Sequence, residues 1–267
     1  MADVSTGGDT TAGWAWKLWI YTNYDCNIQC AYCLARSSPS EPRRALGART
    51  ALRLVDEAVA LGFEDIFFTG GEPFLLHDIC DMLAYASARV RTTVLTNAMI
   101  IRGQRLDKLA AIAHPNLTVQ VSLDGGCAEQ HDAWRGQGTW DKTVAGIRLL
   151  QARGLRVRLS TTETPANSAH LDLVCAFHRS LGIAEDDHVI RQLARRGGSE
   201  QGLDVTKDNL VPELTVNRDG VFWHPISTDA DMRVTDQIFP LAQALACAQE
   251  HLARLARGEA GPAKTLR

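Results

Sequence analysis

Residues Tyr24–Cys33 read YDCNIQCAYC and place cysteines at 26, 30 and 33, three of the seven in the chain. The preceding segment, Trp16–Thr22 (WKLWIYT), has the apolar and aromatic make-up of a short strand. The thiols therefore fall in the loop that a strand delivers. Four explanations compete. Buried free cysteine is common in cores, but three so close together in a polar loop make poor core. A structural zinc usually wants four ligands, and the next histidine, His77, lies beyond a whole predicted helix. CAYC is a CxxC pair of the thioredoxin kind, which leaves Cys26 without a role and usually opens a helix in a smaller fold. A four-iron cluster wants one ligand per iron, so three cysteines would leave one iron open to a small molecule.

Outward from the cysteines, strand and helix patterns alternate. The segment 48–61 repeats apolar residues at helical spacing and stops at Gly62. EDIFFT reads as a buried strand followed by the loop GGEP. Helices are expected over 78–88, 104–113, 140–153 and 168–181, and strands at VRTTVLT, NLTVQVSL, LRVRLSTT and DDHVIRQL. Six strands alternating with helices predict an α/β parallel sheet with right-handed crossovers, either doubly wound or an incomplete barrel. In both, the chemistry lies at the carboxyl ends of the strands. Cys26, Gly70, Asn97 and Asp124 each follow a predicted strand. Beyond residue 192, LARRGGSEQG reads as a loop. PELTVNRDGVFWHP reads as a β-hairpin turning at Asp219-Gly220, and a last helix spans 240–257.

At 267 residues and 45% hydrophobic, the chain can bury a sizeable core. The net charge of -3 gives no sign of a nucleic-acid partner. No apolar run approaches the ~20 residues that span a bilayer. The segment 1–13 has neither the basic start nor the apolar stretch of a secretory signal and reads as a flexible leader of a cytoplasmic protein. The segment 258–267 reads as a flexible tail. An odd cysteine count without an even framework argues against disulfides.

CNIQCAYC fits CxxxCxΦC, with Tyr32 as the aromatic before the third cysteine, and so resembles the radical S-adenosylmethionine enzymes. Gly70-Gly71-Glu72-Pro73 is similar to their GGEP. Thr96-Asn97-Ala98 stands where they have TNG, and Val121–Gly125 resembles the VSLDG of peptide- and cofactor-modifying members. The resemblance runs from about Trp16 to Leu193 and implies a partial (β/α)6 TIM-like barrel over 14–193. It further implies a [4Fe-4S] cluster on Cys26, Cys30 and Cys33, whose open iron binds S-adenosylmethionine. One electron, from a reductase or flavodoxin-type donor, would then give a 5′-deoxyadenosyl radical that takes hydrogen from substrate.

The same resemblance implies cofactor contacts at Tyr32, Gly70, Gly71, Glu72, Pro73, Asn97, Ser122 and Arg158. Glu72 would meet the ammonium group in a charge-assisted hydrogen bond. Ala98 in place of glycine suggests a turn that needs no positive φ. Asp124 is expected to orient substrate or shape the mouth, and Cys127, just after strand four, to donate a hydrogen atom. His131 and Arg135, within an HDxxR match, are read as exposed structural charges. Glu163 and Arg191 are further mouth candidates, Arg191 as another cation for the cofactor's carboxylate.

The most similar members, of the molybdenum-cofactor, pyrroloquinoline-quinone and sulfatase-maturing type, carry cysteine-rich tails. Here 194–257 holds only Cys247, so it is expected to be a hairpin-helix cap without a second cluster, whose Trp223 and His224 either contact substrate or, the preferred reading, pack the hairpin onto the barrel. Cys80 and Cys175 fall within helical patterns and read as core. Substrate is expected to be a peptide, as in maturation of ribosomally made peptides, or a small natural-product or cofactor precursor. A non-catalytic iron–sulfur or electron-carrier protein is the alternative from another class.

Overall fold

The computed structural model describes residues 15–258. The leader expected over 1–13 and nearly all of the expected tail lie outside the described residues. Strands β1 (Ala15–Tyr21), β2 (Asp65–Thr69), β3 (Arg91–Thr96), β4 (Leu117–Ser122), β5 (Val157–Glu163) and β6 (His188–Gln192) pair in parallel, each with the next in the chain. That order contains no reversal, whereas a doubly wound sheet requires one. The six strands step round in one direction, as in a partial (β/α)6 barrel.

The helices are α1 (Ala48–Ala60), α2 (Ile79–Ser87), α3 (Gln104–Ala111), α4 (Ala128–Arg135), α5 (Thr139–Ala152), α6 (Leu171–Ser180) and α7 (Leu241–Ala256). In α1 the buried residues Ala51, Leu54, Val55 and Ala58 form one helical face. They join Leu18 and Ile20 of β1 and Ile66 and Phe68 of β2 in the main core. Fully burying one such leucine contributes about 1.5–3 kcal/mol. Alternate strand residues point the other way: Trp19 and Phe67 turn inward and stack, with ring centroids 4.3 Å apart. Helices thus cover one face of the sheet, and the other face is left to line a cavity. No helix among the described residues is long and apolar enough to cross a membrane.

The expected hairpin forms and is joined to the barrel's edge. β7 (Glu213–Asn217) pairs in parallel with β1, matching Leu18 to Leu214 and Ile20 to Val216. β8 (Gly220–Phe222) and β9 (Arg233–Thr235) complete a nine-stranded sheet. Its turn is not at Asp219-Gly220. Asn217 pairs with Gly220, so the two-residue loop is Arg218-Asp219. The Asn217 side-chain oxygen accepts from the Asp219 amide at 2.7 Å and builds the turn itself. Gly220 is required by a neighbour: a methyl there would stand 2.3 Å from the Thr235 carbonyl oxygen. Helix α7 buries Leu241, Ala244, Leu245 and Ala248 and docks on α1, where the Leu241 amide donates to Glu57 at 2.5 Å.

Candidate active site

Between β1 and α1 the cysteine loop is held by backbone bonds to distant segments. The Thr22 amide donates to Thr69 at 2.8 Å, and the Cys26 amide to Ser38 at 3.1 Å. The Ala31 amide reaches the Trp134 carbonyl at 2.8 Å, and the Gly198 amide reaches the Cys33 carbonyl at 3.0 Å. The GGEP loop forms another support. The Gly71 amide donates to Asn23 at 2.8 Å and the Glu72 amide to Asp25 at 3.0 Å. A methyl at Gly70 would lie 2.4 Å from the Asn23 carbonyl oxygen, and one at Gly71 2.0 Å from that of Asp25. These glycines let the loop approach the chain's own cysteine segment, and both also border the cavity.

All three motif cysteines carry free thiols and border one cavity of about 590 Å3. Burial pushes the Cys26 thiol up to about 12 and the Cys30 thiol up to about 11. Both therefore hold their protons at neutral pH until a cation replaces them. No group of three or more His, Cys, Asp or Glu among the described residues is gathered so that it could hold a single metal ion. A four-iron cluster instead takes each thiolate at a separate iron, and three thiols around one cavity suit that chemistry.

The cavity wall also contains Glu72, Asn97, Ser122, Arg158 and Tyr32. Glu72 is 1% exposed. Its Oε1 accepts from Thr96 Oγ1 at 2.8 Å and from the Phe74 amide at 3.1 Å, and its Oε2 accepts from the Asn97 amide at 2.9 Å. One acceptor position, on Oε2, remains for an ammonium group. Burial raises the Glu72 carboxyl to about 7 against the pull of those donors. Asn97 donates to Asn27 Oδ1 at 2.8 Å and accepts from the Met99 amide at 3.0 Å, which ties the end of β3 to the cysteine loop.

Several expectations are corrected. Ala98 sits at φ 60, so this turn does use the left-handed conformation despite the missing glycine. Gly146 of α5 accommodates it, because a methyl there would lie 2.4 Å from the Ala98 carbonyl oxygen. Pro73 is buried in a short 3-10 turn and lies outside the cavity wall. Asp124 is fully buried away from the cavity wall. It accepts from Tyr32 Oη, from Arg135 Nε at 2.6 Å and from the Thr162 amide at 2.8 Å. It therefore ties the cysteine loop, α4 and β5 together, and at 0% exposure it lies away from the cavity.

Cys127 precedes α4 and is likewise absent from the wall. His131 and Arg135 are buried helix residues rather than exposed loop charges. His131 Nδ1 accepts from the Asp124 amide at 3.1 Å, and burial, then Arg135, lowers its pKa to about 4. Glu163 ends β5 outside the wall, whereas Arg191 is part of it. Trp223 is 2% exposed and packs with Phe222 and Met232, while His224 does border the cavity. Cys80 is buried in α2, and Cys175 and Cys247 are half-buried in α6 and α7.

Other site residues carried little signal in the sequence. Gly197 and Gly198 lie against the cysteine loop, where a methyl on Gly197 would meet the Cys33 carbonyl oxygen at 2.5 Å. Arg196 is buried beside them and donates to Asp231 at 2.6 Å. Arg36 of the cysteine loop pairs with Asp229 at 2.7 Å. The dipeptide Gly197-Gly198 was the visible hint, and nothing local named its partner. Glu213 joins Lys17 at 3.0 Å and takes the Trp19 indole N–H, across the β1–β7 seam.

The Radical SAM superfamily description matches residues 20–166. Among curated relatives, the mycofactocin maturase MftC of Mycobacterium tuberculosis is 34% identical over 159 residues, covering 59% of this chain and 39% of its own. An AdoMet-dependent heme synthase of Methanosarcina barkeri is 29% identical over 170 residues, covering 63% of this chain and 47% of its own. The chain thus spans about half the length, or less, of the curated relatives it matches. Among solved structures, anSMEcpe with bound AdoMet superposes with a TM-score of 0.68 at 16% identity, covering 88% of this chain and 82% of that one. SuiB of Streptococcus suis bound to S-adenosylmethionine gives 0.59 at 18% identity, covering 93% and 49%. At these identities the superpositions show the fold. The cysteine loop, the strand-end motifs and the family match agree: the chain belongs to the radical SAM superfamily, whose members use a [4Fe-4S] cluster and S-adenosylmethionine.

Proposed function

We propose that the protein reductively cleaves S-adenosylmethionine and uses the resulting 5′-deoxyadenosyl radical to remove hydrogen from a peptide substrate. One observation carries this reading: Cys26, Cys30, Cys33, Glu72, Asn97 and Ser122, drawn from the ends of four strands, border a single cavity with Arg158 of β5. When bound, the cluster supplies the electron that breaks the sulfonium carbon–sulfur bond.

The chain's own residues bind, orient and exclude. Cys26, Cys30 and Cys33 would hold three irons. The free position on Glu72 would take the ammonium of the methionine moiety, and the Arg158 guanidinium its carboxylate, as a charge-assisted pair. Asn97 and Ser122 would meet the polar groups between them. Trp19 and Phe67 form a stacked apolar wall that keeps water from a radical. A flavodoxin-type protein is the proposed electron donor.

The peptide reading is supported by relatives: a mycofactocin maturase, SuiB bound to precursor peptide SuiA, and anSMEcpe bound to peptides. A small natural-product or cofactor precursor is the second reading, favoured by the heme synthases and by BtrN solved with AdoMet and 2-DOIA. The test is anaerobic reconstitution with iron and sulfide, reduction, and mass-spectrometric detection of 5′-deoxyadenosine. Release that depends on reductant and on all three cysteines supports the proposal. A loaded cluster without any release points to the electron-carrier alternative.

A further inference from the structure

Three arginines line the cavity, and two of them, Arg158 and Arg191, have no carboxylate partner among the described residues, so one cofactor carboxylate cannot neutralise both. Arg158 lies on β5, and Arg191 lies one strand further, on β6. The other basic residues of the wall are compensated: Lys17 by Glu213 at 3.0 Å, and Arg135 by Asp124 at 2.6 Å. Neither Arg158 nor Arg191 forms an ion pair with any carboxylate among the described residues. Of the wall's own carboxylates, Glu72 accepts from three donors and keeps one position for the ammonium group, and Glu213 is taken by Lys17 and Trp19.

We infer that the substrate presents an oxyanion, a carboxylate or a phosphate, to Arg191, an exposed residue of β6 on the cavity wall; this rests on the radical SAM reading above. The cofactor brings one carboxylate. The register sets Arg158 opposite Gln120, two residues deeper than Ser122, and Arg191 opposite Thr162, two residues nearer the carboxyl end than the Ser122–Ser160 pair, so the two guanidinium groups stand at different depths; the cofactor's anion is assigned to Arg158, whose strand pairs with that of Ser122. Arg191 is then left with a single hydrogen bond, from one terminal nitrogen to Ser160 Oγ at 2.7 Å. That bond turns the guanidinium across β5 toward the cavity and leaves most of its five donors free. A planar fork of this kind matches a carboxylate or phosphate edge.

The surroundings of Arg158, deeper in the sheet than Arg191, are also short of partners. Arg158 Nε has none. Gln120, directly across from Arg158 in the β4–β5 register, is 1% exposed and has both amide atoms unpaired. It sits two residues before Ser122 on the same strand, hence on the same face of the sheet. Burial, then the charge of Arg158, lowers the pKa of Arg191, with Glu213 opposing. A second anion would relieve that repulsion.

The test uses the full chain, anaerobically reconstituted, unreduced and saturated with S-adenosylmethionine. Inorganic phosphate, succinate, and a short aspartyl peptide beside its asparaginyl twin are titrated by ligand-observed NMR. At least one oxyanion probe is expected to bind. R191M should weaken it by roughly tenfold or more, the usual cost of losing hydrogen bonds to a charged group, with R191K intermediate. Succinate or phosphate binding marks a small-molecule source, and preference for the aspartyl peptide marks a peptide source; either supports the inference. R191Q, with cluster absorbance as the folding control, replaces R191M if that variant fails to load.

The inference is overturned if no oxyanion probe binds, or if the Arg191 variants bind it as tightly as wild type. It is also overturned if R191M weakens S-adenosylmethionine as much as R158M does, since Arg191 then serves the cofactor. Wild-type protein that fails to bind S-adenosylmethionine overturns the enzyme reading itself. Intact cofactor binding without an oxyanion site overturns this inference alone.

Discussion

Arg135 Nε donates to Asp124 Oδ2 at 2.6 Å, with side-chain exposures of 9% and 0%. Burial pulls the Arg135 pKa down, and Asp124, through its charge and its hydrogen bond, together with Tyr32 and Cys30 more than reverses it. The pair joins α4 to the end of β4, while Tyr32 Oη and the Thr162 amide bring in the cysteine loop and β5. Asp124→Asn leaves the buried guanidinium uncompensated, which costs about 3–5 kcal/mol. Thermal unfolding should fall by roughly 5–20 °C for a chain of this size. A melting temperature within 2 °C of wild type would show that Asp124 has no such role.

Glu72 makes cofactor affinity pH-dependent. Its carboxyl is raised from 4.5 to about 7, so the folded protein holds a proton there that the unfolded chain has already released. Without cofactor, stability is therefore lost as pH rises from about 4.5 through about 7. The ammonium of S-adenosylmethionine needs the carboxylate, so affinity should move the other way and rise between pH 6 and pH 8. Below the carboxyl's pKa the fall approaches tenfold per unit at most. Glu72→Gln should flatten both trends and weaken binding by about 1.5–3 kcal/mol at pH 8. Equilibrium titrations at the two pH values, with melting curves alongside, check the signs.

Gly71→Ala should disable the cysteine loop without touching a cysteine. The added methyl meets the Asp25 carbonyl oxygen at 2.0 Å, and backbone on both sides cannot yield cheaply. Overpacking of this kind costs about 1–3 kcal/mol or more. Iron loading should drop and the melting temperature with it. Gly126→Ala, which meets nothing closer than 3.4 Å, is the matched control. Equal iron content in the two variants would discount the close approach.

Iron content should be about four per chain, one cluster. Cys80, Cys127, Cys175 and Cys247 belong to α2, the start of α4, α6 and α7, and each is a free cysteine. Replacing all four by alanine should leave the iron count unchanged. Replacing Cys26, Cys30 and Cys33 should abolish it. Residual iron near four in the latter variant would reveal a second cluster.

The fold was legible wherever burial followed a period. Ala51, Leu54, Val55 and Ala58 announce α1, and the buried run of β2 announces a strand covered on its outer face. The three motif cysteines stood out in the sequence because their spacing resembles that of the radical SAM enzymes, and the structure sets all three on one cavity. Helix α4 was not, since the residues it buries are His131 and Arg135, and an ion pair leaves no hydrophobic pattern. The left-handed Ala98 was missed because residue type argues against it, and only the close packing of Gly146 explains it. Asp124 looked like a mouth residue from its place after a strand. Its partner Arg135 could be found only in three dimensions.

The hydrogen bond from the Gly198 amide to the Cys33 carbonyl has a consequence for the order of events during synthesis. The loop that gathers the thiols is completed by residues made long after it: Trp134, Gly198 and, through Arg36, Asp229. At ribosomal rates, Cys33 and Gly198 emerge on the order of 10–30 s apart. Throughout that interval the nascent thiols lack their final frame. The frame around the thiols is thus a late product of synthesis, closed by α4 and by the segment that follows β6.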